Sequence, residues 1–271
     1  QVLLLKDLGN FRGFAILLSI VASHNALELR EFEHHLSHKV TLGERHGALG
    51  VEAYRDMGFL PEAMRNYLLR LGWGHGDEEI IPTDKAIEWF DLDAVGRSAS
   101  RFDMAKLENL NAHYLREADD TRLATLILPM LEEKLGRPVD DSGKALLVAG
   151  MAGLKLRAKT LVELADSALF YVHPLPLPFT DKAAALLTPD ARQTLDKLAA
   201  ALEAQADWSE ALLEESVRSF AEAEALKLGA VAQPLRAALT GSTTSPGIFD
   251  VLAVLGRDAS IARIRAVAGG N

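Results

Sequence analysis

The 271-residue chain contains no cysteine. That absence excludes disulfides, thiolate zinc sites and thiol nucleophiles, and it agrees with a reducing, cytoplasmic setting. Long apolar runs are missing too. The longest, Phe14 to Ala22, falls well short of the ~20 residues that a bilayer-spanning helix needs. It reads as a buried helix or strand, and no membrane contact is expected. β signals are scarce: no alternation of Val, Ile and Thr between turn residues extends beyond a few positions. There is no Walker-type phosphate loop, no strand–GxGxxG–helix unit and no GxSxG elbow, which removes the reaction classes that those motifs announce. Internal repeats and low-complexity tracts are also lacking.

What is present describes a helical protein. Apolar residues make up 49% of the chain, enough to bury a core without covalent staples. The net charge of −9 disfavours indiscriminate attraction of nucleic acid. A single basic face can still act locally, because charges are screened beyond about 8–10 Å in physiological salt.

Helical signals dominate from residue 46 onward. Phe102-Asp103 followed by Met104, Leu107, Leu110 and Tyr114 predicts a helix with Asp103 as its cap and Phe102 stapled onto Leu107. Residues 121–135 predict another, stopped by Gly136 and Pro138, with Pro129 expected to kink or divide it. A third begins at Trp208-Ser209 with an apolar stripe at Leu213, Val217 and Phe220, and Trp208 is placed to staple onto Leu213. Breaks are expected at residues 72–82, rich in glycine and acid, and at 171–178, where spaced prolines favour extended backbone.

Two clusters invite a metal reading. His34 and His38 would share one helix face, as a zinc pair requires, but no Glu follows His34 in the metalloprotease pattern. Asp77-Glu78-Glu79 offers carboxylates for magnesium. A polar helix surface and a solvated loop are the plainer readings, and no metal is expected.

Three long segments then point elsewhere: "RHGALGVEAYRDMGFLPEAMRNYLLRLGW", "RFDMAKLENLNAHYLR" and "KLGAVAQPLRAALTGSTTSPGIFDVLAVLG". In content, order and spacing they resemble the C-terminal half of bacterial glutamyl-tRNA synthetases, class I enzymes, from about Arg45 to the C-terminus. The resemblance implies a mainly α fold: a helical stem-contact region followed by α-helical anticodon-binding domains. In that family an N-terminal Rossmann domain with a HIGH motif binds ATP and glutamate. A lysine-rich K-[ML]-S-K-R loop closes over the ATP phosphates, where lysines and magnesium neutralise developing charge.

This sequence departs from the family at its start. Residues 1–40 show no HIGH motif and no recognisable Rossmann unit, so the catalytic Rossmann domain is expected to be absent. At the signature loop stand Thr41, Leu42, Gly43, Glu44 and Arg45, which puts an acid where a phosphate-facing lysine belongs. The chain begins at Gln1, and the abrupt end of the resemblance suggests a truncation or a slipped reading frame. Glutamate activation is therefore not expected of this chain alone. No cofactor is expected either; ATP and magnesium belong to the full-length family.

The resemblance also assigns residues. Arg157, in "LKLRAKTL", falls on the arginine that the family uses to inspect the anticodon, and Arg236, in "AQPLRAALTG", on a second. A planar guanidinium can fork onto base edges and stack on an unpaired base. Lys227, Thr240 and the Ser242–Thr244 run are candidates for phosphate or sugar contacts nearby. Arg65, Lys106, Asn109, Asn111 and Arg116 lie in the stem-contact resemblance, with Lys106 and Arg116 as phosphate contacts. The expected organisation is an unassigned segment at 1–45, a stem-contact region at 46–120, and anticodon-binding subdomains at 121–178 and 179–271. The expected partner is tRNA-Glu, with tRNA-Gln left open, and the expected state is a monomer. The alternative is a degenerate paralogue acting as a protein-interaction module. Arginines 157 and 236 sharing one basic face would favour RNA; arginines buried or neutralised by acids would favour the module.

Overall fold

A computed structural model describes residues 51–91, 94–96 and 102–269. The Phe14–Ala22 run, the His34/His38 pair and the loop from Thr41 to Arg45 lie outside the described residues. Those described are helical, with no strand among them beyond an isolated bridge between Trp73 and Val95. They form two compact units, one of residues 51–117 with 159–162, the other of 118–158 with 163–269.

The first unit contains α1 (Val51–Asp56), α2 (Pro61–Gly72), α3 (Thr83–Trp89) and α4 (Met104–Glu117). Pro61 opens α2, where a missing N–H costs nothing. Phe59, Met64, Tyr67, Leu107 and Leu110 make the core between α2 and α4, and Phe102 packs against it with its ring centroid 5.0 Å from that of Tyr67. Asp103 accepts from the Lys106 N–H at 3.2 Å, the predicted cap. A second cluster of Leu69, Trp73, Ile81 and Ala86 fixes α3.

Two buried asparagines organise the loops. Asn66 accepts from Ile81 N–H at 3.0 Å and donates to the Glu79 carbonyl at 2.9 Å, tying the 73–82 loop to α2. Asn111 is fully buried on α4; its Oδ1 accepts from Leu60 N–H at 2.7 Å and its Nδ2 donates to the Lys159 carbonyl at 2.5 Å. Each satisfies backbone groups that burial would otherwise leave unpaired.

The second unit contains α5 (Asp120–Leu135), α6 (Asp141–Lys155), α7 (Leu161–Val172, whose first two residues belong to the first unit), α8 (Asp181–Leu186), α9 (Pro189–Glu203), α10 (Glu210–Ala223), α11 (Leu228–Thr240) and α12 (Ile248–Ala268). α12 packs against α9, α10, α11 and α6, and is the hub of the unit. It bends at Gly256, whose φ of 75° and ψ of 172° lie outside the helical range. Gly136 ends α5 in the left-handed region, as the sequence predicts. Pro129 does not divide α5, contrary to one of the two outcomes expected of it. The carbonyl that it leaves unpaired belongs to Thr125, on the exposed face of the helix, where water can satisfy it. The 171–178 break is real in the backbone: α7 stops at Val172 and non-helical chain follows to Thr180.

Candidate nucleic-acid interface

Arg157 stands just past the end of α6, its N–H bonded back to the Leu154 carbonyl at 3.3 Å, and its side chain is exposed. The neighbouring Leu156 is 64% exposed, an apolar group held in solvent beside a cation. Arg236 projects from α11 and is half-buried. Its Nη1 donates to the Pro246 carbonyl at 2.7 Å, to the Ser245 carbonyl at 3.3 Å and to Ser245 Oγ. The turn that receives it is held by its own hydroxyls. Thr240 Oγ1 donates to the Arg236 carbonyl at 2.8 Å, Ser242 N–H donates to Thr240 Oγ1 at 3.3 Å, and Thr244 N–H donates to Ser242 Oγ at 3.2 Å. The Ser/Thr-rich run is thus a scaffold in which hydroxyls replace missing helix partners.

The two arginines, 79 residues apart in sequence, feel one another. Burial, and then the charge of Arg157, lower the Arg236 pKa from its ordinary value. Neither has a carboxylate partner within ion-pair distance among the described residues. The anchors of Arg236 are neutral carbonyls and a hydroxyl, so both positive charges remain uncompensated. An electronegative ligand atom between them would relieve the repulsion and supply acceptors for the unused N–H groups.

The same unit holds a polar cluster of Arg263, Tyr171 and Asp250. Burial lowers the Arg263 pKa to about 10, opposed by nearby Tyr171, and its Nη1 donates to the Leu239 carbonyl at 2.7 Å. That carbonyl belongs to the last turn of α11, where a cation is favoured. Burial raises the Asp250 carboxyl above its usual range. The Tyr171 phenol is pushed up by burial and then by Asp250.

The other sequence candidates divide. Lys227 is exposed at the start of α11. Thr240 is buried and its hydroxyl closes the helix end, so it is not available to a surface ligand. In the first unit, Lys106 and Arg116 are exposed on α4, within about 80° of one another around the helix axis at 100° per residue. Lys106 lines a cleft of about 530 Å³ together with Arg70, Glu79, Asn109 and His113, over a floor that includes Leu110. Arg65 is half-buried and its Nε donates to Thr83 Oγ1 at 3.2 Å, a contact that fixes the start of α3. Asn111 is internal. Asp77 and Glu78 are exposed, and Glu79 pairs with Arg70 at 3.1 Å. No group of three or more His, Asp or Glu side chains among the described residues could hold a metal ion.

Residues 111–268 match the family model described as "Anticodon binding domain", which covers more than half of the chain. The chain is 61% identical over 223 residues to "Glutamate--tRNA ligase 2" of Rhodospirillum centenum and 57% identical over 242 residues to the protein of that name from Parvibaculum lavamentivorans. The chain belongs to the glutamate–tRNA ligase family. It spans about half the length of these relatives: the first alignment covers 82% of this chain and 48% of the relative. Among solved structures, a glutamate tRNA ligase from Elizabethkingia meningosepticum, in complex with its amino acid, superposes with a TM-score of 0.66 at 29% identity, covering 84% of this chain and 44% of that one.

Family membership corrects the reading of the N-terminal segment. The model described as "tRNA synthetases class I (E and Q), catalytic domain" matches residues 18–109. The similarity therefore begins well before Arg45, and a small part of the catalytic domain is present. It escaped notice because those residues carry none of the motifs by which the domain is known. Sequence reasoning also missed Ser245 and Pro246. Their carbonyls orient Arg236, and nothing in residue type announces where a carbonyl points.

Proposed function

We propose that the chain carries the tRNA-reading apparatus of a glutamate–tRNA ligase, with tRNA-Glu as its ligand and the anticodon read through Arg157 and Arg236. The observation that carries this reading is the uncompensated arginine pair on the segment matching an anticodon-binding domain. Arg236, held by Nη1, presents its remaining N–H groups in a fixed direction. Arg157, without such anchors, closes onto the ligand from the other side, and exposed Leu156 offers an apolar surface to an unstacked base. Lys106, Arg116 and Lys227 supply phosphate contacts that position the RNA without reading it.

In the family, the bound tRNA receives glutamate in an ATP-dependent reaction. The loop Thr41-Leu42-Gly43-Glu44-Arg45 offers Glu44 where a lysine would face the phosphates, so the chain binds tRNA without activating glutamate on its own. The test is equilibrium binding of the 271-residue chain to tRNA-Glu, tRNA-Gln and a tRNA-Glu transcript with an exchanged anticodon, over a series of salt concentrations. Binding that favours tRNA-Glu and weakens steeply with salt is expected. Equal affinity for the native and exchanged anticodons refutes the reading.

A further inference from the structure

The arginine pair is brought together by a close approach between α6 and the turn before α12, and that approach depends on one residue. A Cβ placed on Gly153 would lie 2.9 Å from Cβ of Pro246 and 2.7 Å from Oδ2 of Asp250. The carboxylate oxygen is the tip of a flexible side chain and can move aside. The proline ring cannot: Pro246 is buried, and its carbonyl is the 2.7 Å acceptor of Arg236 Nη1. Four residues after Gly153 comes Arg157. Gly153 therefore sits where the element bearing one arginine touches the turn that aims the other.

We propose that Gly153 is a positioning residue for anticodon discrimination, setting the separation of Arg157 and Arg236 through its contact with Pro246. The proposal rests on the reading of those arginines as the anticodon pair. Helix propensity opposes glycine here, since alanine is better by about 1 kcal/mol in a helix interior. Any Cβ must push the Pro246 ring, and with it the carbonyl that orients Arg236. Recognition that depends on two guanidinium forks then loses its register on the base edges.

Gly150 provides the control. It lies one turn earlier on α6, and a Cβ there would meet the Tyr171 ring at 2.5 Å, an equally severe clash with a side chain of α7 rather than with the 245–246 turn. The experiment compares Gly153→Ala, Gly150→Ala and the unaltered chain by the ratio of their dissociation constants for exchanged-anticodon and native tRNA-Glu. Measurements are made below the melting temperature of each protein. Gly153→Ala should lower this ratio about tenfold, the scale of one impaired base contact. Gly150→Ala should leave it unchanged even where it lowers the melting temperature.

An undiminished ratio in Gly153→Ala overturns the proposal alone, and so does an equal fall in both variants. An unaltered chain that shows no anticodon preference overturns the function reading and this proposal together. If Gly153→Ala fails to fold, Gly153→Ala combined with Pro246→Gly removes the struck ring and should fold. A double variant that stays unfolded contradicts the proposed contact.

Discussion

Replacing Arg157 and Arg236 by alanine, one at a time, separates binding from scaffolding. Arg157 is exposed and makes no side-chain hydrogen bond or ion pair among the described residues, so its loss should change stability by no more than about 0.5 kcal/mol. Arg236 donates from Nη1 to the Ser245 and Pro246 carbonyls, and its loss leaves both without that donor. Hydrogen bonds from a charged donor contribute about 1.5–3 kcal/mol. Removing the repulsion with Arg157 and the cost of burying a cation offsets part of that. A net loss of about 2 kcal/mol is expected for Arg236→Ala, or roughly 4–8 °C in melting temperature for a chain of this size. Both variants should lose about 1–3 kcal/mol of preference for the native anticodon. Fluorescence anisotropy with labelled tRNA reads the preference, and thermal denaturation followed by circular dichroism reads the stability. If Arg157→Ala melts as low as Arg236→Ala, or if either keeps full anticodon preference, the division of labour argued from the geometry is wrong.

Three further outcomes follow from buried groups. Asn111→Leu fills the same space but strips partners from Leu60 N–H and the Lys159 carbonyl, so it should cost about 2–5 kcal/mol. Urea denaturation checks this, and an unchanged midpoint contradicts it. Gly58 has a φ of +85° and would place a Cβ 2.7 Å from both Leu161 N and Val162 N, backbone atoms with nowhere to go. Gly58→Ala should therefore destabilise by at least about 2 kcal/mol in thermal melts. Asp250 holds its proton more tightly folded than unfolded, because burial disfavours the charge. Folding then takes up protons at this site, and its contribution to stability falls as pH rises from the ordinary value of 3.8 through the raised one. Asp250→Asn should gain on the unaltered chain as denaturation is repeated from pH 4 to 7, a window in which Arg263 stays charged and Tyr171 neutral. A difference that is flat, or that grows toward acid, refutes the assignment.

Local signals carried the helices because they act within one turn. Asp103 caps α4, Gly136 closes α5, and α10 starts beside Ser209 as its apolar stripe requires. Pro129 misled in part because the cost of proline depends on whether its orphaned carbonyl meets water, which a linear pattern does not specify. Trp208 satisfied the spacing for a staple, yet its indole N–H reaches the Leu252 carbonyl at 2.8 Å in α12, a partner 44 residues away. The two candidate arginines could be named from the sequence, but the geometry that holds them could not. Thr240 and Arg65 look like surface contacts in sequence, but packing turns both inward to hold helix ends. Conversely, Ser245, Pro246 and Gly153 look unremarkable until α6 and α11 are placed on the same turn.

The manner in which Arg236 is held bears on how an acidic chain would read RNA under the proposed function. With a net charge of −9, bulk attraction works against the ligand, so the positive potential has to be local and undiluted. A carboxylate would anchor a guanidinium more strongly than carbonyls do, but it would cancel the charge and occupy the fork. Anchoring Nη1 on neutral oxygens orients the side chain and leaves its charge intact. Under the proposed function, the repulsion from Arg157 would become part of the recognition, because an electronegative ligand edge beside the two arginines relieves it. On that reading, affinity and discrimination come from the same pair. On the same reading, either arginine alone would retain attraction for phosphate, whereas selection among anticodons would require both, one carried just past α6 and the other aimed by the 245–246 turn.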